Sequence, residues 1–283
     1  MRRLGTTLLR LVLLCTLAGV ALQLYFLLRI VLMLVLDPQS TTFQRSEAWR
    51  IVTSTGELPW RQQWVPYEDM SDHLKRAVIA SEDAGFNEHD GVDWEALEKA
   101  WERNQRALAQ AERANERLKA RAARPPGQDL APRQPRIVGG STITQQLAKN
   151  LFLSRDKEVG RKVQELAIAF LLESALGKER ILEIYLNIIE WGPGLRGLRP
   201  AARHYFGREP QALTPAEIAF LVAIIPGPIK YQRSIARGTP GPGLRSLIDA
   251  LLAKLRSVDA IGEEEYRRAL TELILVNGGR QPG

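Results

Sequence analysis

From about Leu8 to Leu36 the chain is almost continuously apolar, interrupted by Arg10, Gln23 and Arg29. A helix that crosses a bilayer needs roughly 20 apolar residues, and this stretch exceeds that length. A cleaved signal peptide has a shorter apolar region and a small-residue cleavage site. Ala18-Gly19-Val20-Ala21 weakly resembles such a site, but the apolar run continues past it. The expectation is therefore an uncleaved anchor. Arg2 and Arg3 precede the run and predict a cytoplasmic N-terminus, with the remainder outside. Arg29 within the span is expected to face a partner helix or a polar cavity.

The anchor gives meaning to the charge. The 283 residues carry a formal net charge of +7, which favours polyanions: nucleic acid, anionic lipid headgroups or a phosphorylated substrate. A membrane setting favours the last two, and no nucleic acid partner is expected. The single cysteine, Cys15, lies in the apolar run. That excludes a disulfide framework, a thiolate metal site and a catalytic thiol in the soluble part. His73, His89 and His204 show no close pair of the kind a zinc site uses.

Beyond a polar connector at 37–42 and an irregular stretch to about Glu68, helix follows helix, so the fold class is mainly α. Ser71 is a candidate cap for a helix ending near Glu82. A second helix starts at Trp94, with Asp93 as its candidate cap, and runs as Ala/Glu/Arg-rich sequence to about Arg124, where Pro125-Pro126-Gly127 stops it. Its charges predict a solvated face. Ser141 is the candidate cap of the next helix, Thr142 to Leu153. Further helices are expected over roughly Glu158–Leu176 and Lys178–Glu190. Thr214-Pro215-Ala216-Glu217 carries a full start signature of cap, proline and glutamate. Helices near Leu244–Ser257 and Glu263–Leu275 close the chain. The expected organisation is a membrane anchor and connector over 1–40, a central domain over 41–243 with an insertion at about 95–136, and C-terminal helices over 244–283.

Three segments could carry chemistry. In Ser81–Asp93, five carboxylates and His89 share one short connection. Crowded like charges raise one another's proton affinity and can produce a base near neutral pH, whereas a solvated loop of helix-capping acids explains the same residues. Gly139-Gly140-Ser141-Thr142-Ile143-Thr144-Gln145-Gln146-Leu147-Ala148-Lys149-Asn150 pairs glycines with a helix start, a ready anion site. Gln145 and Lys149 share a face there, and an ordinary capped loop is the alternative. In Lys157-Glu158-Val159-Gly160-Arg161-Lys162-Val163-Gln164-Glu165, Arg161 and Lys162 lie within one turn of Glu165. They make either a surface ion pair or a carboxylate held among phosphate-binding cations. Gly192-Pro193-Gly194-Leu195-Arg196-Gly197 fits a dinucleotide pattern, but a helix rather than a strand precedes it, so a tight turn is expected and no nucleotide cofactor.

Taken in order, these segments resemble glycosyltransferase family fifty-one, whose domain also forms the polymerising half of bifunctional penicillin-binding proteins. The first motif of that family, Glu-Asp-x-x-Phe-x-x-His-x-Gly-x-Asp, is matched from Glu82 to Asp93. The second is matched by Gly140 to Gln146 with Lys149-Asn150, and the third by Arg161 to Glu165. The fourth is seen in Lys178 and Ile181–Asn187, and the fifth in the glycine turn with Ala201–Gly207. The likeness runs from about Trp49 to Tyr231. No penicillin-binding domain follows, so the expectation is the monofunctional branch. Two departures stand out: the long Glu95–Arg136 segment, and Leu198 where valine is common.

The resemblance implies a lysozyme-like, mainly α domain behind a single transmembrane helix in the bacterial inner membrane, with the catalytic part periplasmic. It implies that Glu82 is the general base, deprotonating the acceptor 4-hydroxyl of lipid II. That oxygen attacks the anomeric carbon of the growing strand, and undecaprenyl diphosphate leaves with inversion to a β-1,4 bond. Glu165 is the second essential carboxylate, organising the diphosphate through cations or a divalent metal ion, Mg or Mn. Lys149, Lys157, Arg161 and Lys162 are the candidates for stabilising the departing charge. Ser141, Thr142, Gln145, Gln146 and Asn150 match substrate-binding positions, and Asp83, Phe86 and His89 match positions that support the first loop. Partners implied are lipid II, the growing glycan strand, the inner membrane and other cell-wall synthesis and division proteins. Two rival readings remain: a lysozyme-type glycan-cleaving enzyme, which also uses two carboxylates, and a non-catalytic scaffold using the charged helix.

Overall fold

The computed structural model describes residues 2–38, 53, 63–121, 132–135, 139–153, 159–236, 238–272 and 274. The apolar run forms one helix, α1 (Arg2–Leu32). Its segment Thr6–Leu32, 27 residues, is long and apolar enough to cross a membrane, spanning about 40 Å. Exposed leucines cover most of α1, while Phe26, Ile30 and Met33 near its end are buried. Those three dock on the rest of the protein. Phe26 meets Phe152 edge-on at 5.4 Å between centroids, and the Arg29 guanidinium lies over the same ring at 5.0 Å. Arg29 thus faces a partner helix, as expected.

Four helices position the polar residues: α2 (Asp72–Glu82), α4 (Ile143–Phe152), α5 (Val159–Ala175) and α6 (Lys178–Ile188). The long α3 (Trp94–Arg121) lies between α2 and α4 in sequence. Helix α4 packs on both α5 and α6, and α1 packs on α5. Behind them a hairpin, β1 (Glu190–Gly192) and β2 (Leu195–Arg196), leads to α7 (Leu198–Phe206). Then come α8 (Pro215–Ile224), the short α9 (Gln232–Ile235), α10 (Pro242–Ser257) and α11 (Glu263–Thr271). Helix α8 is buried on nearly every side and packs against α2, α10 and α11. An almost wholly apolar helix of this kind belongs at the centre of a core.

Helix starts follow hydrogen-bond supply. Thr214 accepts from Glu217 N, and the Glu217 side chain accepts from Thr214 N, a complete capping box. Two expected caps are different. Ser71 occupies the cap position of α2 without a side-chain hydrogen bond. At α4 the cap is Thr142, not Ser141, because Gln145 three residues on completes the box. The hairpin and α7 were not expected as elements. Gly192, Gly194 and Gly197 serve this turn, since the pattern sits in a two-stranded hairpin after a helix.

Gly197 has φ +85°, and a Cβ there would stand 2.8 Å from the Asn187 carbonyl oxygen. An L side chain is strained in that conformation and would push against backbone. Gly197→Ala is expected to destabilise the protein by about 2–3 kcal/mol, read as a lowered melting temperature of the detergent-solubilised chain.

Helix α3 carries the exposed ion pairs Glu95–Lys99 and Glu102–Arg106 at i,i+4. Asn115 clasps the returning backbone: its Nδ2 donates to Arg133 O at 3.1 Å and its Oδ1 accepts from Arg133 N at 2.7 Å. Asp93 caps its start, accepting from Ala96 N at 2.7 Å. The charged face is solvated, as its composition predicts.

Candidate active site

Helix α2 ends at Glu82 because Asp83 leaves helical backbone, with φ −163° and ψ 75°. The two consecutive carboxylates then diverge toward α4. Asp83, buried, accepts from Ile143 N at 2.9 Å through Oδ2 and pairs with His89 Nε2 at 2.9 Å through Oδ1. His89 Nδ1 accepts from Gly91 N at 3.1 Å, which leaves the ring proton on Nε2 to be donated to Asp83. Thr142 Oγ1 donates to Gly91 O at 2.6 Å. The first loop is thus tied twice to the start of α4. Phe86 fills the space beneath it, with the Lys178 ammonium over its ring at 4.7 Å. Lys178 also donates to His89 O at 2.6 Å and to Glu173 at 2.8 Å.

These ties revise the anion site expected at the start of α4. The amide of Ile143 is already taken by Asp83, and that of Gln145 by Thr142 Oγ1. The negative charge at this helix end is Asp83 itself, which suits the helix dipole. The close approach permitted by Gly140 is to α3: a Cβ there would stand 2.9 Å from Ala100 Cβ. Thr142 and Gln145 are both buried, with relative exposures of 3% and 1%, and serve the cap.

Glu82 is half-buried. Its Oε2 accepts from Gln146 Nε2 at 3.2 Å, and Gln146 Oε1 accepts from Tyr185 OH at 2.9 Å. The tyrosine fixes which end of the amide faces the carboxylate. Burial raises the proton affinity of Glu82, the Gln146 donor opposes that, Asp83 adds to it and Lys254 opposes it. Desolvation therefore outweighs the like-charge crowding expected from the sequence. Only Asp83 acts as a close negative neighbour; Glu88 and Asp90 are exposed, and Asp93 is a cap. Burial likewise pushes Tyr185 well above the ordinary tyrosine value, reinforced by Glu82 and Asp83, so its hydroxyl remains a donor.

One turn further along α4, Gln146 is followed by Lys149 and Asn150 on the same half-exposed face. Burial depresses the Lys149 ammonium below the ordinary lysine value; Glu165 opposes this, and Arg161 and Lys162 add to it. Glu165, 3% exposed, receives Arg161 Nη1 at 3.0 Å and Lys162 Nζ at 2.5 Å. Lys162 Nζ also reaches Ser141 Oγ at 3.4 Å and Gln145 Oε1 at 3.5 Å. Lys149, Arg161 and Lys162 against one carboxylate leave local positive charge. Lys157 lies outside the described residues.

The two glutamates are thus brought to one helix. Gln146 touches Glu82, and Lys149, about 4.5 Å further along the axis, feels Glu165. Such an arrangement can hold a desolvated base at Gln146 and, further along the same helix, a cation group able to accept a phosphate. As a metal centre it fits poorly. Both oxygens of Glu165 already have cationic partners, and no group of three His, Cys, Asp or Glu side chains that could hold a metal ion occurs among the described residues. Sequence reasoning gave no role to Tyr185, which holds Gln146, or to Glu173, which accepts from Thr144 and Lys178. Tyr185 carried one signal, a hydroxyl on the otherwise apolar face of α6.

Residues 50–114 and 127–240 match the Transglycosylase family. Several relatives bear the name biosynthetic peptidoglycan transglycosylase. That of Bordetella pertussis is 44% identical over 223 residues, 79% of this chain and 81% of its own. That of Herminiimonas arsenicoxydans is 40% identical over 237 residues, 84% and 90% respectively, and that of Cupriavidus metallidurans 44% over 222 residues, 77% and 84%. A crystal structure of Penicillin-Binding Protein 1A from Haemophilus influenzae aligns with 49% of this chain and 17% of its own, at 24% identity and a TM-score of 0.31.

Proposed function

This chain belongs to the transglycosylase family, and we infer that it is a peptidoglycan glycosyltransferase that polymerises lipid II into β-1,4-linked glycan strands. The observation that carries the chemistry is the placement of Glu82: desolvated, raised in proton affinity, and bonded to Gln146 on the helix that also carries Lys149. As general base, Glu82 takes the proton from the acceptor 4-hydroxyl of lipid II. The freed oxygen attacks the anomeric carbon of the lipid-linked strand from the face opposite the leaving group. The bond to the diphosphate breaks, and the configuration inverts from α to β. Gln146, held by Tyr185, keeps the carboxylate aimed.

The departing diphosphate carries the developing negative charge. Arg161 can grip its oxygens with two parallel hydrogen bonds, and Lys149 and Lys162 add compact charges. Glu165 keeps Arg161 and Lys162 gathered while the site is empty. Ser141 and Asn150 border the same face. The anchor, we propose further, spans the inner membrane with its N-terminus in the cytoplasm, and holds the catalytic domain at the periplasmic surface beside its lipid substrate.

Labelled lipid II incubated with the purified full chain should yield long glycan polymer. Degradation of purified cell-wall sacculi without polymer formation would instead favour the lysozyme-type reading. A scaffold would do neither.

A further inference from the structure

Tyr185 on α6 is completely buried, yet its hydroxyl ends beside the base. It donates to Gln146 Oε1 at 2.9 Å, and Gln146 donates through Nε2 to Glu82 Oε2 at 3.2 Å. Hydroxyl, amide and carboxylate thus form a chain across α6, α4 and the end of α2. Each link has a direction. A tyrosine hydroxyl can donate or accept, and an amide can be turned end for end. The two orientations of Gln146 are nonetheless unequal here. With the amide turned, Oε1 would face the carboxylate. Two acceptors attract each other only with a proton between them, so Glu82 would have to be protonated and donate to Oε1. Nε2 would meanwhile point at the Tyr185 oxygen, which could accept from it. The hydroxyl hydrogen would then lose Gln146 Oε1, its acceptor among the described residues. A buried donor left unmet is costly.

Resting on the glycosyltransferase reading above, we propose that Tyr185 is a positioning residue for the base: its hydroxyl locks the Gln146 amide with the NH2 group toward Glu82, and so excludes the turned amide that would hold Glu82 protonated and idle. Being wholly buried, Tyr185 acts through Gln146 rather than on the sugar. The lock does not release in alkali, because burial, reinforced by Glu82 and Asp83, keeps the phenol proton in place. Other charged groups that bear on the Glu82 proton are Asp83 beside it and Lys254 on α10. Helix α8, also packed on α2, brings only Glu217, which is turned to Thr214 and Arg208. None of these hydrogen-bonds to Gln146 among the described residues. They shift the proton affinity of the base without choosing the orientation of the amide.

Tyr185→Phe removes the hydroxyl and keeps the ring, so the fold is retained, and a melting scan of the variant checks that it is. kcat/KM for lipid II polymerisation by the full chain in detergent is measured between about pH 5 and pH 9. Four proteins are compared: wild type, Tyr185→Phe, Gln146→Ala and the double variant. Without the hydroxyl, the turned amide strands no donor, and protonated Glu82 gains a hydrogen bond to Oε1. The acid limb of Tyr185→Phe should therefore move up by about half to one pH unit, with activity recovered at the alkaline end. In the Gln146→Ala background there is no amide to orient. Adding Tyr185→Phe there should leave the limb in place and the rate within about twofold. A packing role predicts something else: an equal loss at every pH that adds to the loss from Gln146→Ala. That result, or a Tyr185→Phe profile that overlays the wild type, would overturn the proposal. Either outcome alongside wild-type protein that makes polymer sinks the lock alone. Wild-type protein that makes no polymer sinks the function and the lock together.

Discussion

Glu82→Gln should lower kcat for lipid II polymerisation by about a hundred- to ten-thousandfold, the usual contribution of a positioned base. The same change should raise the melting temperature at neutral pH. The amide keeps an acceptor for Gln146 Nε2 but cannot take a proton. The stability effect follows from linkage. Burial raises the folded-state pKa of Glu82 above its ordinary value of 4.5. Stability gained from holding the proton is full below the unfolded value and is lost as pH rises through the folded value. At pH 7 the wild-type carboxylate bears a desolvation penalty that glutamine lacks. Melting scans at pH 7 and pH 4 should therefore show a gap in favour of the variant that closes on acidification. In the wild type, the acid limb of kcat/KM should lie above the ordinary glutamate range. Gln146→Ala should move it higher still, since the amide donor favours the ionised form. A variant that polymerises at the wild-type rate, or that melts lower at pH 7, would remove Glu82 from the role of desolvated base.

Much of this site could be read along the chain, because its parts are local. The end of α2 at Glu82, the cap at Asp93 and the box at Thr214–Glu217 each depend on neighbours within four residues. The start of α4 was also local but was misassigned. Ser141 and Thr142 both offer hydroxyls, yet only Thr142 has a glutamine three residues on, and that decides which one caps. Helix α7 was hidden by glycines on both flanks and by Pro200 in its first turn, which a helix tolerates there. What no local pattern could give are the pairings across the fold. Asp83 occupies the amide of Ile143 sixty residues away, which turns an apparent anion site into an internal brace. Gln23 meets Gln164 across 141 residues, and nothing in either neighbourhood announces the other. The hydroxyl of Tyr185 rises among apolar neighbours on α6, and its partner, Gln146, comes from α4, 39 residues away.

Glu165→Gln should separate two roles that the wild-type carboxylate combines. With its side chain 4% exposed, Glu165 holds Arg161, 21% exposed, and Lys162, 40% exposed. Taking away its charge leaves those cations and Lys149 facing one another without an anion. Removing one partner of a buried pair typically costs about 3–5 kcal/mol. Lys162 can swing into water, so the expected loss is nearer 2–3 kcal/mol and falls mainly on Arg161. The empty site becomes more positive by one unit, and a diphosphate should then bind more tightly to it. Inorganic pyrophosphate should accordingly raise the melting temperature of the variant more than that of the wild type, in a manner weakened by salt. Turnover should nonetheless fall about a hundredfold or more, because the cations are no longer held where charge develops in the transition state. Tighter binding with slower turnover is the signature of an organising carboxylate, since it improves the ground state and spoils the transition state. If pyrophosphate protected both proteins equally and turnover still collapsed, Glu165 would be acting on the reacting atoms directly. If neither stability nor turnover changed, the cluster on α5 would be no more than a surface ion pair.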